Sequence, residues 1–383
     1  MLPRLFFESP YLWKTRDCRS GVPTCWIWGG GVSTLHLKNE YKIFGKTIFT
    51  THRQKAIGHP FHFYYKYYHH NSLQGWDDCW DIGKYVATNP NINDEIFELC
   101  RGLNAKNQEW LLRQIARVRK CYENKIANFT ELDDCEIKEI EQVFTEFLPN
   151  IHKLSDSLFA YQGYFLPINR FEPNVFFHKH ELEIFEKQTL AKIRQKDFID
   201  AGGFIGDSAI IFEREFCDKN IYTFEPTKRS HERILQTIKL NNSKRVIPVN
   251  KGLGAKNMET QVGITRNDGM ASSMIFKKGT YITETETIQI TTLDDFVREN
   301  QIEVGFIKVD IEGAEMQFLE GAKETICRQK PAMLISIYHQ PSDFFKIKPL
   351  IESWRLGYRF KIHKKADFTL LEETVLFCEI AED

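Results

Sequence analysis

The sequence predicts an α/β protein whose C-terminal half is an open, mostly parallel sheet. From Lys196 onward, short β-rich runs alternate with helical stretches, the pattern that lays parallel strands between helices on both faces. The last two strands are joined only by a short polar loop around Ala366 to Thr369, too short for a helical crossover, so they are expected to pair antiparallel.

In chain order the expected strands are Phe198 to Asp200, Ile221 to Glu225, Val246 to Asn250, Phe306 to Asp310, Met333 to Tyr338, Arg359 to His363 and Val375 to Ile380. Helices are expected to begin near Asp207, Lys228, Leu293 and Ala314. Residues 252–292 interrupt the alternation with short strands at Gln261 to Thr265, Met274 to Phe276 and Glu286 to Thr291. An insertion there lies beside the carboxyl ends of the sheet strands, where open α/β sheets bind ligands. It is expected to form one wall of a substrate pocket, with Ser272 and Ser273 turned toward the acceptor.

The first 190 residues read differently. Thr24 to Trp28 is a short apolar run, followed by Gly29-Gly30-Gly31, a helix to about Phe44 and a strand from Lys46 to Thr50. That order is the opening of a degenerate nucleotide-binding fold, although three adjacent glycines lack the Gly-x-Gly-x-x-Gly spacing. The aromatic run from Phe61 to His70 reads as a buried strand with a polar face, plus a loop. Helical spacing returns over Asp94 to Arg119 and Asp133 to Leu148. The expected division is an N-terminal α/β domain over 1–130 with a Rossmann-like half, a helical linker region over 131–190, and the main α/β domain over 191–383.

Composition narrows the partners. The chain has 383 residues, 42% hydrophobic and 27% charged, enough apolar material for a sizeable core. Lys plus Arg is 51 against 52 for Asp plus Glu, so no global field points to nucleic acid. No run of about 18 apolar residues occurs, which argues against a membrane-spanning helix. The nine cysteines form no Cys-x-x-Cys pair, so the expectation is a reduced, cytoplasmic, soluble protein, with a homo-oligomer compatible.

The sharpest signal is Phe198-Ile-Asp-Ala-Gly-Gly-Phe-Ile-Gly-Asp-Ser208, a strand ending at Asp200 and then a turn with Gly202, Gly203 and Gly206 before a helix. Glycines let the backbone turn sharply and approach a ligand closely. In Ile221-Tyr-Thr-Phe-Glu-Pro226, Glu225 ends the next strand, where a carboxylate can accept both hydroxyls of a ribose. An acid at the head of the glycine turn repels phosphate and suits a cationic ligand. S-adenosylmethionine carries a sulfonium, an α-ammonium and a ribose but no phosphate, and is therefore the expected cofactor.

With these motifs the sequence resembles the FkbM-type S-adenosylmethionine-dependent methyltransferases over roughly residues 195 to 380. The resemblance also rests on Thr292-Leu-Asp-Asp295 and above all on Ile307-Lys-Val-Asp-Ile-Glu-Gly-Ala-Glu315 running on to Leu319-Glu-Gly-Ala322. It implies a class I, Rossmann-like methyltransferase fold with a seven-stranded sheet and an antiparallel final strand. It also implies O-methylation, commonly of sugar or natural-product hydroxyls. In this sequence Gly203 stands where alanine is usual.

At the reacting end, Asp310 and Glu312 are expected beside His339, which the following strand delivers to the same edge. Two roles fit the trio. His339 serves as general base with a carboxylate orienting it, or Asp310, Glu312 and His339 hold a divalent cation that binds the substrate oxygen. Asp310 is also counted with the cofactor ligands. Glu315 and Asp295 are expected to be helix N-terminal acids, Glu315 facing away. The expected substrate is a small molecule or glycan, a sugar hydroxyl in a surface glycan or its nucleotide-linked precursor. The alternatives are a metal-dependent glycosyltransferase using Asp310 and Glu312, and a non-catalytic sugar- or partner-binding module.

Overall fold

A computed structural model describes residues 77–126, 132–265, 282–366 and 369–380, with four strands in the first 52 residues. Its centre is a seven-stranded sheet: β1 (Asp197–Ala201), β2 (Ile221–Phe224), β3 (Val246–Val249), β4 (Val304–Val309), β5 (Ala332–Ser336), β6 (Tyr358–His363) and β7 (Val375–Ile380). The spatial order is β3-β2-β1-β4-β5-β7-β6, the first five strands parallel and β7 antiparallel to both neighbours. The order reverses between β1 and β4, and ligands of open α/β sheets bind at such a switch point. β4 is buried along its whole length, as a central parallel strand should be.

Three N-terminal helices, α1 (Asp77–Thr88), α2 (Ile92–Cys100) and α3 (Ala105–Asn124), pack on this sheet. Ile82, Leu99, Leu111 and Val118 share one apolar cluster with Ile199, Val309 and Ile335. The Asn107 side chain on α3 bonds both the amide and the carbonyl of Ile362 in β6. The core therefore crosses the boundaries expected at 130 and 190, because an amphipathic helix needs an apolar partner and the sheet face supplies one.

The expected opening of a nucleotide-binding fold is corrected. Residues Lys38–Ile43, read as part of a helix, form a strand paired antiparallel with Lys46–His52, and Trp13–Arg16 pairs antiparallel with Thr24–Ile27. Ile43 pairs with Lys46, so only Phe44 and Gly45 join the two strands. A two-residue connection with a glycine favours a hairpin, and the following Thr47-Ile48-Phe49-Thr50-Thr51 is rich in β-formers. Gly29 to Gly31, the aromatic run 61–70 and the strand expected at Met274 to Phe276 lie outside the described residues.

The remaining helices of the sheet follow the expected starts: α4 (Asp207–Ile211), α5 (Lys228–Leu240), α6 (Leu293–Asn300) and α7 (Glu315–Gly321). The insertion pairs Met258–Thr265 antiparallel with Ile282–Thr291. An additional helix, α8 (Pro341–Ser353), carries the chain from β5 to β6 and opens on a proline, whose fixed φ suits a first helical turn.

Candidate functional site

The carboxyl ends of β1, β2, β4 and β5 border one cleft of about 190 Å³. At its floor Asp200, the next-to-last residue of β1, is fully buried. Asp200 Oδ2 accepts the Thr223 hydroxyl at 2.7 Å, and Oδ1 lies 3.3 Å from Lys308 Nζ, which also donates to the Gly202 carbonyl at 2.8 Å. Burial works against the Lys308 charge, but Asp200, Asp310 and Asp207 outweigh it and hold the ammonium protonated. Lys308 was overlooked in the sequence because its partner comes from the neighbouring strand.

Asp200 itself is not among the residues that line the cleft; Gly202, Phe204, Asp207 and Ser208 are. Asp200 fastens the glycine turn from below, and the acid that reaches the cleft there is Asp207. Gly202 has φ +88°, and a Cβ on it would stand 1.7 Å from the Asp310 carbonyl oxygen, so β1 and β4 can meet only at a glycine. A Cβ on Gly203 would lie 2.1 Å from Thr223 Oγ1. Gly206 opens α4 in the left-handed region.

Glu225, at the end of β2, lines the cleft while only 8% exposed. Its Oε1 accepts the Thr227 amide at 3.0 Å and hydroxyl at 2.6 Å, and its Oε2 accepts the Phe204 amide at 3.2 Å. Three of about four lone-pair sites are thus taken, leaving Oε2 with room for one ligand donor instead of the pair expected. Burial pushes this carboxyl up to about 7 against those hydrogen bonds. Beside it, Phe224, Pro226, Leu253, Ile288 and Ile290 form an apolar wall, the last three supplied by the insertion. Ser272 and Ser273 lie outside the described residues.

Asp310 and Glu312 also line the cleft, and Glu312 holds a left-handed backbone with φ +58°. His339 is 4% exposed and sits behind them. Its Nε2 lies 3.5 Å from Asp310 Oδ1 and 3.9 Å from Glu312 Oε2. Its Nδ1 lies 3.0 Å from Glu315 Oε1, which also accepts the Ile311 amide at 2.9 Å. The expectation that Glu315 faces away is therefore corrected: it is fully buried and turned onto His339. Its place at the start of α7, five residues beyond Asp310, suggested a dipole partner; the imidazole of the next strand is what gives it a different role. Burial opposes charge on His339, yet Glu315, Glu312 and Asp310 raise its pKa well above the ordinary value. Asp295 keeps the expected structural role near the start of α6, bonded to Asn257 and Arg298.

Donor atoms of Asp310, Glu315 and His339 lie within 4.8 Å of one another, a spacing a metal ion could use. The imidazole, however, meets carboxylates at both nitrogens, and it could bind a cation only after giving up the proton that those carboxylates favour. The cluster fits an ion pair better than a metal centre.

The far side of the cleft comes from elsewhere in the chain. Glu172 and Asn174 precede and open a short helical turn, and Glu372 and Glu373 sit in the loop before β7. Glu373 accepts the Asn174 amide at 2.9 Å and the Tyr338 hydroxyl at 3.4 Å.

Residues 200–360 match the family described as "Methyltransferase FkbM domain". "Methyltransferase 1" of Beauveria bassiana is 27% identical over 205 residues, 46% of this chain and 79% of that protein. Among solved structures, the methyltransferase FkbM of Methylobacillus flagellatus aligns with a TM-score of 0.40 at 16% identity, over 72% of this chain and 62% of that one. An SAH-bound methyltransferase of Podospora anserina aligns with a TM-score of 0.32 at 11% identity, over 70% of this chain and 96% of that one. The glycine turn and the acids closing β2 and β4 all lie within residues 200–360, the segment that matches the methyltransferase FkbM domain.

Proposed function

We propose that the chain is an S-adenosylmethionine-dependent O-methyltransferase acting on a sugar hydroxyl of a surface glycan. The observation that carries the reading is the single cleft in which the glycine turn, Glu225 and the Asp310–Glu312 pair converge. When bound, S-adenosylmethionine supplies an electrophilic methyl group. Gly202 and Phe204 give it close backbone approach, Glu225 Oε2 accepts one ribose hydroxyl, and the apolar wall beside Pro226 and Ile290 receives the base.

Asp310 is placed to take the proton that the acceptor hydroxyl must lose, the general-base role expected of His339. His339, gripped by Glu315, acts through Asp310 as a positioning residue: its ring, set between the two carboxylates, keeps Asp310 aimed at the acceptor. This chemistry needs no metal, so treatment with EDTA should leave the rate unchanged. Most of the acceleration comes from holding acceptor oxygen and methyl carbon in line.

Of the two acceptors considered, the glycan is favoured over its nucleotide-linked precursor, because a pyrophosphate would have to enter among Asp207, Asp310 and Glu312 while Lys308 is committed to Asp200. The same repulsion disfavours the glycosyltransferase reading. Incubation with labelled S-adenosylmethionine and a panel of glycan fragments and nucleotide sugars should transfer label to a fragment. Transfer to nucleotide sugars alone would refute the acceptor assignment.

A further inference from the structure

Between Asp310 and Glu315 the chain passes through two successive left-handed residues, Glu312 with φ +58° and Gly313 with φ +95°. Such a turn persists only where its surroundings hold it. The segment that leaves β5 for α8 grips it with three side chains, His339 on Asp310 and Glu315, Gln340 on Gly313 and Asp343 on Glu315. Gln340 Nε2 donates to the Gly313 carbonyl at 2.6 Å. Asp343 stands in the first turn of α8, 1% exposed, and its amide donates to the Gln340 carbonyl at 3.1 Å.

The contact between Asp343 and Glu315 joins two buried acids. Glu315 spends Oε1 on the Ile311 amide and the His339 imidazole. Its Oε2 is buried and has no hydrogen-bond donor among the described residues, and the same holds for Asp343 Oδ2. Asp343 Oδ1 has the Ser342 hydroxyl, at 3.4 Å. Ionised carboxylates only accept hydrogen bonds, so two of them side by side repel each other and leave these oxygens unsatisfied. A proton carried by Asp343 answers both problems, because it turns one acceptor into a donor aimed at the other. Burial and then Glu315 push the Asp343 carboxyl up to about 8, with His339 pulling the other way.

We propose that Asp343 is a positioning residue for methyl transfer: as a carboxylic acid it donates a hydrogen bond to Glu315, which fixes Glu315 on His339 and, through the imidazole, Asp310 toward the acceptor. The proposal rests on the methyltransferase reading above and carries its line of contacts one residue further, into α8. Asp343 keeps its proton throughout; only Asp310 takes one from the acceptor.

Two measurements on the full chain test this. Infrared spectroscopy with heavy carbon in the aspartate carboxyls needs no acceptor. Near neutral pH the wild-type chain should give a carboxylic-acid band that shifts with the label, that Asp343→Asn removes and that Glu315→Gln moves. No such band in the difference between wild type and Asp343→Asn overturns the proposal. The second measurement is transfer of label from S-adenosylmethionine to the panel of glycan fragments. Asp343→Leu should lower kcat about tenfold, on the order of one hydrogen bond to a charged group, with KM and SAH affinity retained. Asp343→Asn keeps an N–H donor in the same place and should recover most of that loss. Asp343→Leu as fast as wild type, or Asp343→Asn as slow as Asp343→Leu, overturns the positioning role. A wild-type chain that gives the infrared band but labels no fragment breaks the methyltransferase reading instead.

Discussion

The two sides of the cleft treat negative charge in opposite ways. On the cofactor side each carboxylate is answered locally, Asp200 by Lys308 and Thr223, and Glu225 by Thr227 and the Phe204 amide. On the other side burial, and then Glu373 and Asp207, push the Glu172 carboxyl well above its ordinary value, so negative charge is disfavoured there. The first arrangement is held in place by the fold whether or not a ligand is bound. The second resists ionisation instead, because a buried carboxyl beside like charges favours its neutral form.

The substitution expected to act most strongly lies where the two sides meet. Asp310→Asn keeps the size of the side chain and removes the base, so single-turnover methyl transfer should fall about 10²- to 10⁴-fold. His339→Gln, one step removed, should cost about tenfold, with SAH affinity retained. Equal losses for the two would mean that His339 itself meets the substrate.

Asp200→Asn probes the satisfied side. It strands the buried Lys308 ammonium without its nearest counter-charge, and breaking such a pair costs about 3–5 kcal/mol. Urea unfolding should show that loss. A stability change within the range of a surface substitution would mean that Asp200 does not anchor the turn.

A smaller effect concerns pH. Glu225 is raised from an ordinary 4.5 to about 7 by burial. A carboxyl raised in the fold costs stability as pH climbs from its unfolded to its folded value, and ligand binding that favours the ionised form strengthens over the upper part of that window. SAH should therefore bind more tightly at about pH 8 than at about pH 6, and Glu225→Gln should flatten the difference. A wild-type affinity independent of pH would show that Glu225 meets the ribose in neither form.

The same contrast separates what was legible in the sequence from what was not. The strand, turn and acid of β1, and the acid ending β2, are local patterns, and the structure keeps them within a residue or two. The reversed final hairpin followed from the length of one loop. Lys308 and Glu315 stood inside the most specific motif, yet their partners, Asp200 and His339, come from neighbouring strands, and strand adjacency is not written in any one segment. Glu172 and Glu373 meet only because the chain before β1 folds back over the loop before β7, 201 residues away in sequence. The packing of α1 to α3 on the sheet is not legible in the sequence, because their amphipathic spacing shows that they bury a face without showing against what.

Calorimetry of SAH binding to the wild-type chain and to Glu225→Ala tests the central claim most directly. The wild-type protein should bind SAH at one site per chain. Loss of the Glu225 contact should weaken binding about ten- to hundredfold, the worth of a charge-assisted hydrogen bond. No binding to the wild-type protein, or the same affinity in both, would contradict the placement of the cofactor in this cleft.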